Sequence, residues 1–95
     1  MRARYCAYVL EDEAFLLATW HSTTRPDAVR FTGDVVWEGL TVEDAHGGGA
    51  LDVSGTVSFT ARFRRNGTPL ALQERSTFER IDGRWFYVEG SDPDT

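Results

Sequence analysis

The chain has 95 residues, 41% of them hydrophobic, with three Trp, three Tyr, six Phe and a formal net charge of −5. That is one domain with a single modest core, and the aromatic content argues against a disordered chain. The acidic balance argues against nucleic acid as a partner, because phosphate binding calls for a cationic surface, and no run approaches the ~20 apolar residues of a membrane span.

In chain order, MRARYCAYVL predicts a first helix whose stripe is Met1, Tyr5, Tyr8 and Val9. Arg2 and Arg4 lead into no apolar run of the kind a signal peptide carries. Cys6, the single cysteine, sits mid-helix beside apolar neighbours and reads as buried and inert. One cysteine supplies neither an internal disulfide nor a cysteine-rich zinc site, which points to the cytoplasm. Glu11 or Asp12 can start a second helix, EAFLLATW, with Phe15, Leu16, Thr19 and Trp20 on one face. Pro26 then disfavours helix at Arg25 and marks a bend. VVWEGLTVEDA reads as the first strand, with Gly39 at a bulge, and HGGG at 46–49 as a mobile connection. From residue 91 the tail reads as disordered.

Two turn signals order the second half. Asn66-Gly67 and Asp82-Gly83 are preferred type I′ pairs, since both central residues must take positive φ. Two-residue loops then set Phe63 opposite Leu70, Ala61 opposite Leu72, Phe59 opposite Glu74 and Val57 opposite Ser76. Across the second turn they set Arg80 opposite Trp85 and Phe78 opposite Tyr87. One face collects Val57, Phe59, Ala61, Phe63, Leu70, Leu72, Phe78, Trp85 and Tyr87; the other collects Ser58, Thr60, Arg62, Arg64, Gln73, Arg75, Thr77 and Glu79. Helices covering the apolar face give an α+β layer of helix on curved antiparallel sheet.

The succession MRARYCAYVLEDEAFLLATWHSTTRP, WEGL, GTVSFTARFRRNG, LQERSTFER and DGRWFYVEG resembles the bacterial YchJ-like family. The resemblance implies a nuclear-transport-factor-2-like domain over residues 1–90, a bent sheet of about four strands wrapped around helices to leave a cone-shaped hollow. It implies no particular reaction. Similar proteins carry cysteine-rich SEC-C segments outside this domain, and with one cysteine here no zinc site carries over. Relatives often show His-Glu where this chain has Gln73-Glu74, so the glutamate is kept without the imidazole.

Glu74 is the most informative single residue. Its register points it inward, where an unpaired carboxylate costs several kcal/mol or takes up a proton, so it calls for a partner among Arg4, Tyr5, Tyr8, His21 and Arg25. It is either a general base or ligand anchor on the floor of the cone, or a structural pair tying helix to sheet. His21, at the end of the second helix, suits the negative end of the helix dipole; beside it Trp20 reads as a lid on the core. A His21–Glu74 dyad is the catalytic alternative. Tyr5, Tyr8, Trp20, Arg25, Trp37, Phe59, Ser76 and Tyr87 are the expected pocket residues.

Arg62, Arg64, Arg65 and Arg75 form either a docking patch for an acidic partner or a solvated face of cross-strand charge pairs. His21 and His46 have no metal-ligand spacing, so no metal is expected, and no cofactor. HGGG without G-x-S-x-G does not make a hydrolase, and the NGT acceptor pattern at 66–68 reads as a hairpin turn. The expected function is a non-catalytic accessory or binding module, monomeric or weakly homodimeric, taking a small molecule or a protein partner. A proton-transfer or hydrolytic enzyme using Glu74 and His21 is the alternative.

Overall fold

Both tight turns adopt the left-handed backbone their sequences call for: φ is 51° and 82° at Asn66-Gly67, and 51° and 78° at Asp82-Gly83. This matches the right-handed twist of the strands they join. The computed structural model describes residues 1–91. It contains α1 (Arg2–Val9), α2 (Glu13–Ala18), β1 (Val35–Gly47), β2 (Ser54–Arg65), β3 (Thr68–Ile81) and β4 (Arg84–Ser91). The strands form one antiparallel sheet in the order β1-β2-β3-β4. Ser91 ends β4, and the rest of the expected disordered tail, residues 92–95, lies outside the described residues.

The pairings expected from the turns are present. Phe63 faces Leu70, Ala61 faces Leu72, Phe59 faces Glu74 and Val57 faces Ser76; Arg80 faces Trp85 and Phe78 faces Tyr87. Beyond Phe78 the ladder slips by one residue, so that Thr77 meets Glu89 and Ser76 meets Gly90. β1 slips twice, between Trp37 and Gly39 and between Val42 and Asp44. Each slip switches the residue parity that faces inward. Trp37, Leu40, Val42 and Ala45 therefore sit opposite Phe63, Ala61, Phe59 and Val57, although their own spacing does not alternate. HGGG is only partly a connection, because His46 and Gly47 still pair, with Thr56 and Gly55.

Asp12 caps α2, its Oδ1 accepting the N–H of Phe15 at 3.0 Å, which satisfies one donor of the first turn. Leu16 is fully buried beneath it, whereas Phe15 is partly exposed at the edge. α1 is rotated from its expected stripe. Arg4 and Ala7 are its buried residues, Val9 is exposed, and Cys6, expected to be buried, is exposed as well. Met1, Arg4 and Ala7, spaced by three, point to the sheet, which turns Cys6 away from it.

The chain after α2 closes the edge of the sheet. Tyr87 N–H donates to Thr19 O at 2.8 Å, His21 N–H donates to Tyr87 O at 2.7 Å, and Trp20 bridges Tyr87 in parallel. Residues 19–21 thus shield β4 from further strand pairing. The helices are short beside the sheet: eight residues of α1 span about 12 Å, and twelve of β2 span about 40 Å. Leu70 and Leu72, on the expected apolar face, consequently remain 42% exposed at the far hairpin.

Candidate functional site

At the opposite end of the sheet the helices stand off enough to leave a mostly apolar cavity of about 440 Å³. Val57, Phe78, Trp85 and Tyr87 form its floor, Met1, Ala3, Arg4, Phe15 and Thr19 its helical wall, and Gly47, Gly48 and Gly55 its glycine-lined rim. The volume lies within the roughly 300–1,000 Å³ usual for small-molecule sites.

Arg4 is the charged group of that inner wall and is only 8% exposed. Its guanidinium carbon lies 3.5 Å from the centre of the Tyr87 ring, 4.3 Å from that of Trp20 and 5.4 Å from that of Tyr8. Trp20 and Tyr87 meet edge to face at 5.0 Å. The aromatic faces supply a favourable quadrupole to the cation but accept few hydrogen bonds. Nη2 donates to the Tyr8 hydroxyl at 3.3 Å, whereas Nη1 is buried with no acceptor, as is Trp20 Nε1 beside it. Burial holds the guanidinium below the usual arginine value, against the opposing influence of Tyr8, Tyr87 and Glu74. Burial, and next the Glu74 charge, raise the Tyr87 phenol above its ordinary value.

Glu74 is half-buried and accepts from Ser76 Oγ at 3.1 Å. Its carboxylate bends across the sheet over Gly90, where an added methyl would overlap the carboxylate carbon and both oxygens. Gly90 pairs with Ser76, so the missing side chain on β4 makes room for the acid on β3. Glu74 acts on Arg4 and Tyr87 through its charge, but among the described residues Arg4 and Glu74 are not within ion-pair distance.

Residues 1–90 match the family profile described as YchJ, middle NTF2-like domain. The chain belongs to the YchJ middle-domain family. It is 51% identical over 90 residues to a UPF0225 protein of Streptomyces avermitilis, an alignment covering 95% of this chain and 61% of that one. Identities are 44% over 90 residues with a UPF0225 protein of Streptomyces coelicolor and 46% over 93 with one of Chromobacterium violaceum, each covering 95% of this chain and 69% of the relative. The chain thus spans from 61% to 69% of the length of these relatives. The solution structure of a SEC-C motif containing protein from Rhodopseudomonas palustris superposes with a TM-score of 0.82 at 33% identity, over 97% of this chain and 74% of that one. The YchJ middle domain is therefore an α+β, NTF2-like cone, and none of its helices among the described residues is long and apolar enough to cross a membrane.

In this YchJ middle domain the expected site residues separate into groups. Tyr87 lines the first cavity, with Trp20 meeting it edge to face. Phe59 and Ser76 are buried in the sheet beneath. Tyr5, Tyr8 and Trp37 form an aromatic cluster towards the far hairpin: Trp37 lies 5.8 Å from Tyr5, 6.1 Å from Tyr8 and 5.4 Å from Phe63. Tyr8 and Trp37 border a second hollow of about 380 Å³ together with Arg30, Phe31 and Arg65. Arg25 is exposed in the turn after His21, and its backbone N–H donates to His21 O at 2.9 Å.

The His21–Glu74 dyad is not formed. His21 Nδ1 accepts the Thr23 backbone N–H at 3.1 Å, which leaves Nε2 to meet Glu79 Oε2 at 2.9 Å. Glu79 is five positions from Glu74 on β3, hence on the other pleat, and running beside β4 carries His21 to the sheet edge rather than into the cone. The outer arginines have cross-strand partners: Arg62 Nη1 donates to Thr41 Oγ1 at 2.9 Å, Arg64 Nε to Glu38 at 3.1 Å and Arg75 Nε to Ser58 Oγ at 3.3 Å. Arg4 is not among the pocket residues expected from the sequence, where it is a candidate partner for Glu74. The signal for its larger role was the row Met1–Arg4–Ala7, which places a cation on the buried side of α1.

Proposed function

We propose that this YchJ middle domain is a non-catalytic binding module and that the cavity beneath α1 and α2 receives its ligand, a small molecule. The observation that carries this reading is the division of labour among the polar groups. Glu74 is engaged by Ser76 and His21 by Glu79, and neither lines either of the two hollows described above. The cavity itself combines apolar walls with one under-satisfied cation, Arg4. Convergence of a few polar groups on an apolar hollow is the pattern of a ligand site, whereas proton transfer needs acid and base within reach of one substrate atom. A monomer accords with an outer face whose arginines are engaged by neighbouring strands, and a cytoplasmic location with a lone thiol. The net charge of −5 supports a partner other than nucleic acid.

The test is a fragment screen read by amide NMR shifts. The module reading expects binders whose shifts concentrate on Arg4, Val57, Phe78 and Tyr87. A screen with no binder at these residues, or turnover of a substrate that disappears in Glu74→Gln with folding intact, would overturn it.

A further inference from the structure

The chemical class of the ligand, which rests on that reading of the cavity, is set by the donors left without acceptors. We propose that the cavity selects a small monocarboxylate with an apolar body, its carboxylate accepting a hydrogen bond from Arg4. Arg4 is 8% exposed, forms part of the cavity wall and has no hydrogen-bond acceptor at Nη1. A buried charged donor normally finds a full set of partners, and the groups around this one are ring faces and the hydroxyls of Tyr8 and Tyr87, which leave Nη1 without an acceptor. The second unsatisfied buried donor, Trp20 Nε1, belongs to the same cluster. On the cavity wall the missing group is an acceptor for Arg4, which an ionised carboxylate supplies in excess and a protonated amine does not supply at all.

The rest of the lining sets the ligand's other properties. Val57, Phe78 and Trp85 give the cavity floor an apolar surface, which fits an aliphatic or aromatic body. A phosphate ester is a poorer match, because it brings more acceptor oxygens than the one free guanidinium nitrogen can bind. Glu74 sharpens the same choice: its charge already reaches Arg4, so a dianion would meet repulsion that a monoanion largely escapes.

The experiment titrates the domain with 3-phenylpropionate and with its neutral amide, 3-phenylpropanamide, following amide shifts and the Arg4 side-chain Nε–H signal. The proposal expects the acid to bind at least tenfold more tightly than the amide, to move the Arg4 signal, and to lose that preference in Arg4→Met. The acid–amide comparison in the unaltered protein stands whether or not Arg4→Met folds. Equal binding of acid and amide, or an acid preference that survives Arg4→Met, overturns the carboxylate inference and leaves the module reading intact. Failure of both compounds while the fragment screen finds other cavity binders also overturns this inference alone; failure of the screen as well overturns the module reading.

Discussion

Gly90→Ala should be costly only because of Glu74. The new methyl would occupy the position of the Glu74 carboxylate, and that group, at the end of a flexible side chain, can swing away. What it leaves behind is the hydroxyl of Ser76, which is fully buried and donates to it at 3.1 Å. Stranding a buried hydroxyl costs about 1–3 kcal/mol, whereas Gly to Ala returns about 0.4–1 kcal/mol by restricting the unfolded chain. The net loss is then about 1–2 kcal/mol, or a Tm lower by roughly 5–15 °C in a domain of this size. In a Glu74→Ala background the obstruction is gone and the Ser76 hydroxyl is already unpaired, so Gly90→Ala should be neutral or stabilising. Urea unfolding followed by tryptophan fluorescence of the four proteins gives the coupling directly. Equal destabilisation in both backgrounds would refute the assignment of Glu74 as an acid seated over a glycine.

The same geometry predicts three further outcomes. Tyr87 has its pKa raised in the folded state by burial and by Glu74, so its contribution is fully present below the unfolded value of about 10 and is lost as pH rises through the folded one. Tm by circular dichroism should therefore fall above pH ~10, and a fall of the same size in Tyr87→Phe would contradict the assignment. Arg4→Met exchanges about 0.5–2 kcal/mol of cation–π attraction for relief from burying an incompletely bonded charge, and such replacements are often neutral or stabilising; a Tm unchanged or raised is expected, and a fall beyond about 15 °C would show that Arg4 serves the fold. His21→Ala removes the contacts to Thr23 and Glu79 and should cost about 1–2 kcal/mol while leaving carboxylate binding as it was; lost binding in a folded variant would return His21 to the site.

What could be read without coordinates depended on where a single residue choice propagates. Asn66-Gly67 and Asp82-Gly83 each dictate a two-residue loop, and strand alternation carries that choice along the whole hairpin, so Glu74, Ser76 and Tyr87 were placed on the inner face from letters alone. No such device joins β1 to β2, whose connection runs over residues 48–53, and two bulges in β1 switch its inward parity. That is why His46 and Gly47 read as loop. An eight-residue helix offers too few turns to tell the row Met1–Arg4–Ala7 from the stripe Met1–Tyr5–Tyr8, and tertiary packing made the choice. His21 was misdirected for a similar reason: chain spacing says nothing about a segment pairing with a strand more than sixty positions away.

The proposed site depends above all on Arg4 lying in an aromatic cage at the cavity wall, and the side-chain proton shifts of that residue report it most directly. With its guanidinium carbon 3.5 Å from the centre of the Tyr87 ring and 4.3 Å from that of Trp20, the Arg4 Hδ and Hε resonances should be displaced strongly upfield and should relax towards ordinary values in Tyr87→Leu. Shifts at solvent-exposed arginine values in the unaltered protein would place Arg4 outside the cage and remove the anchor from the cavity.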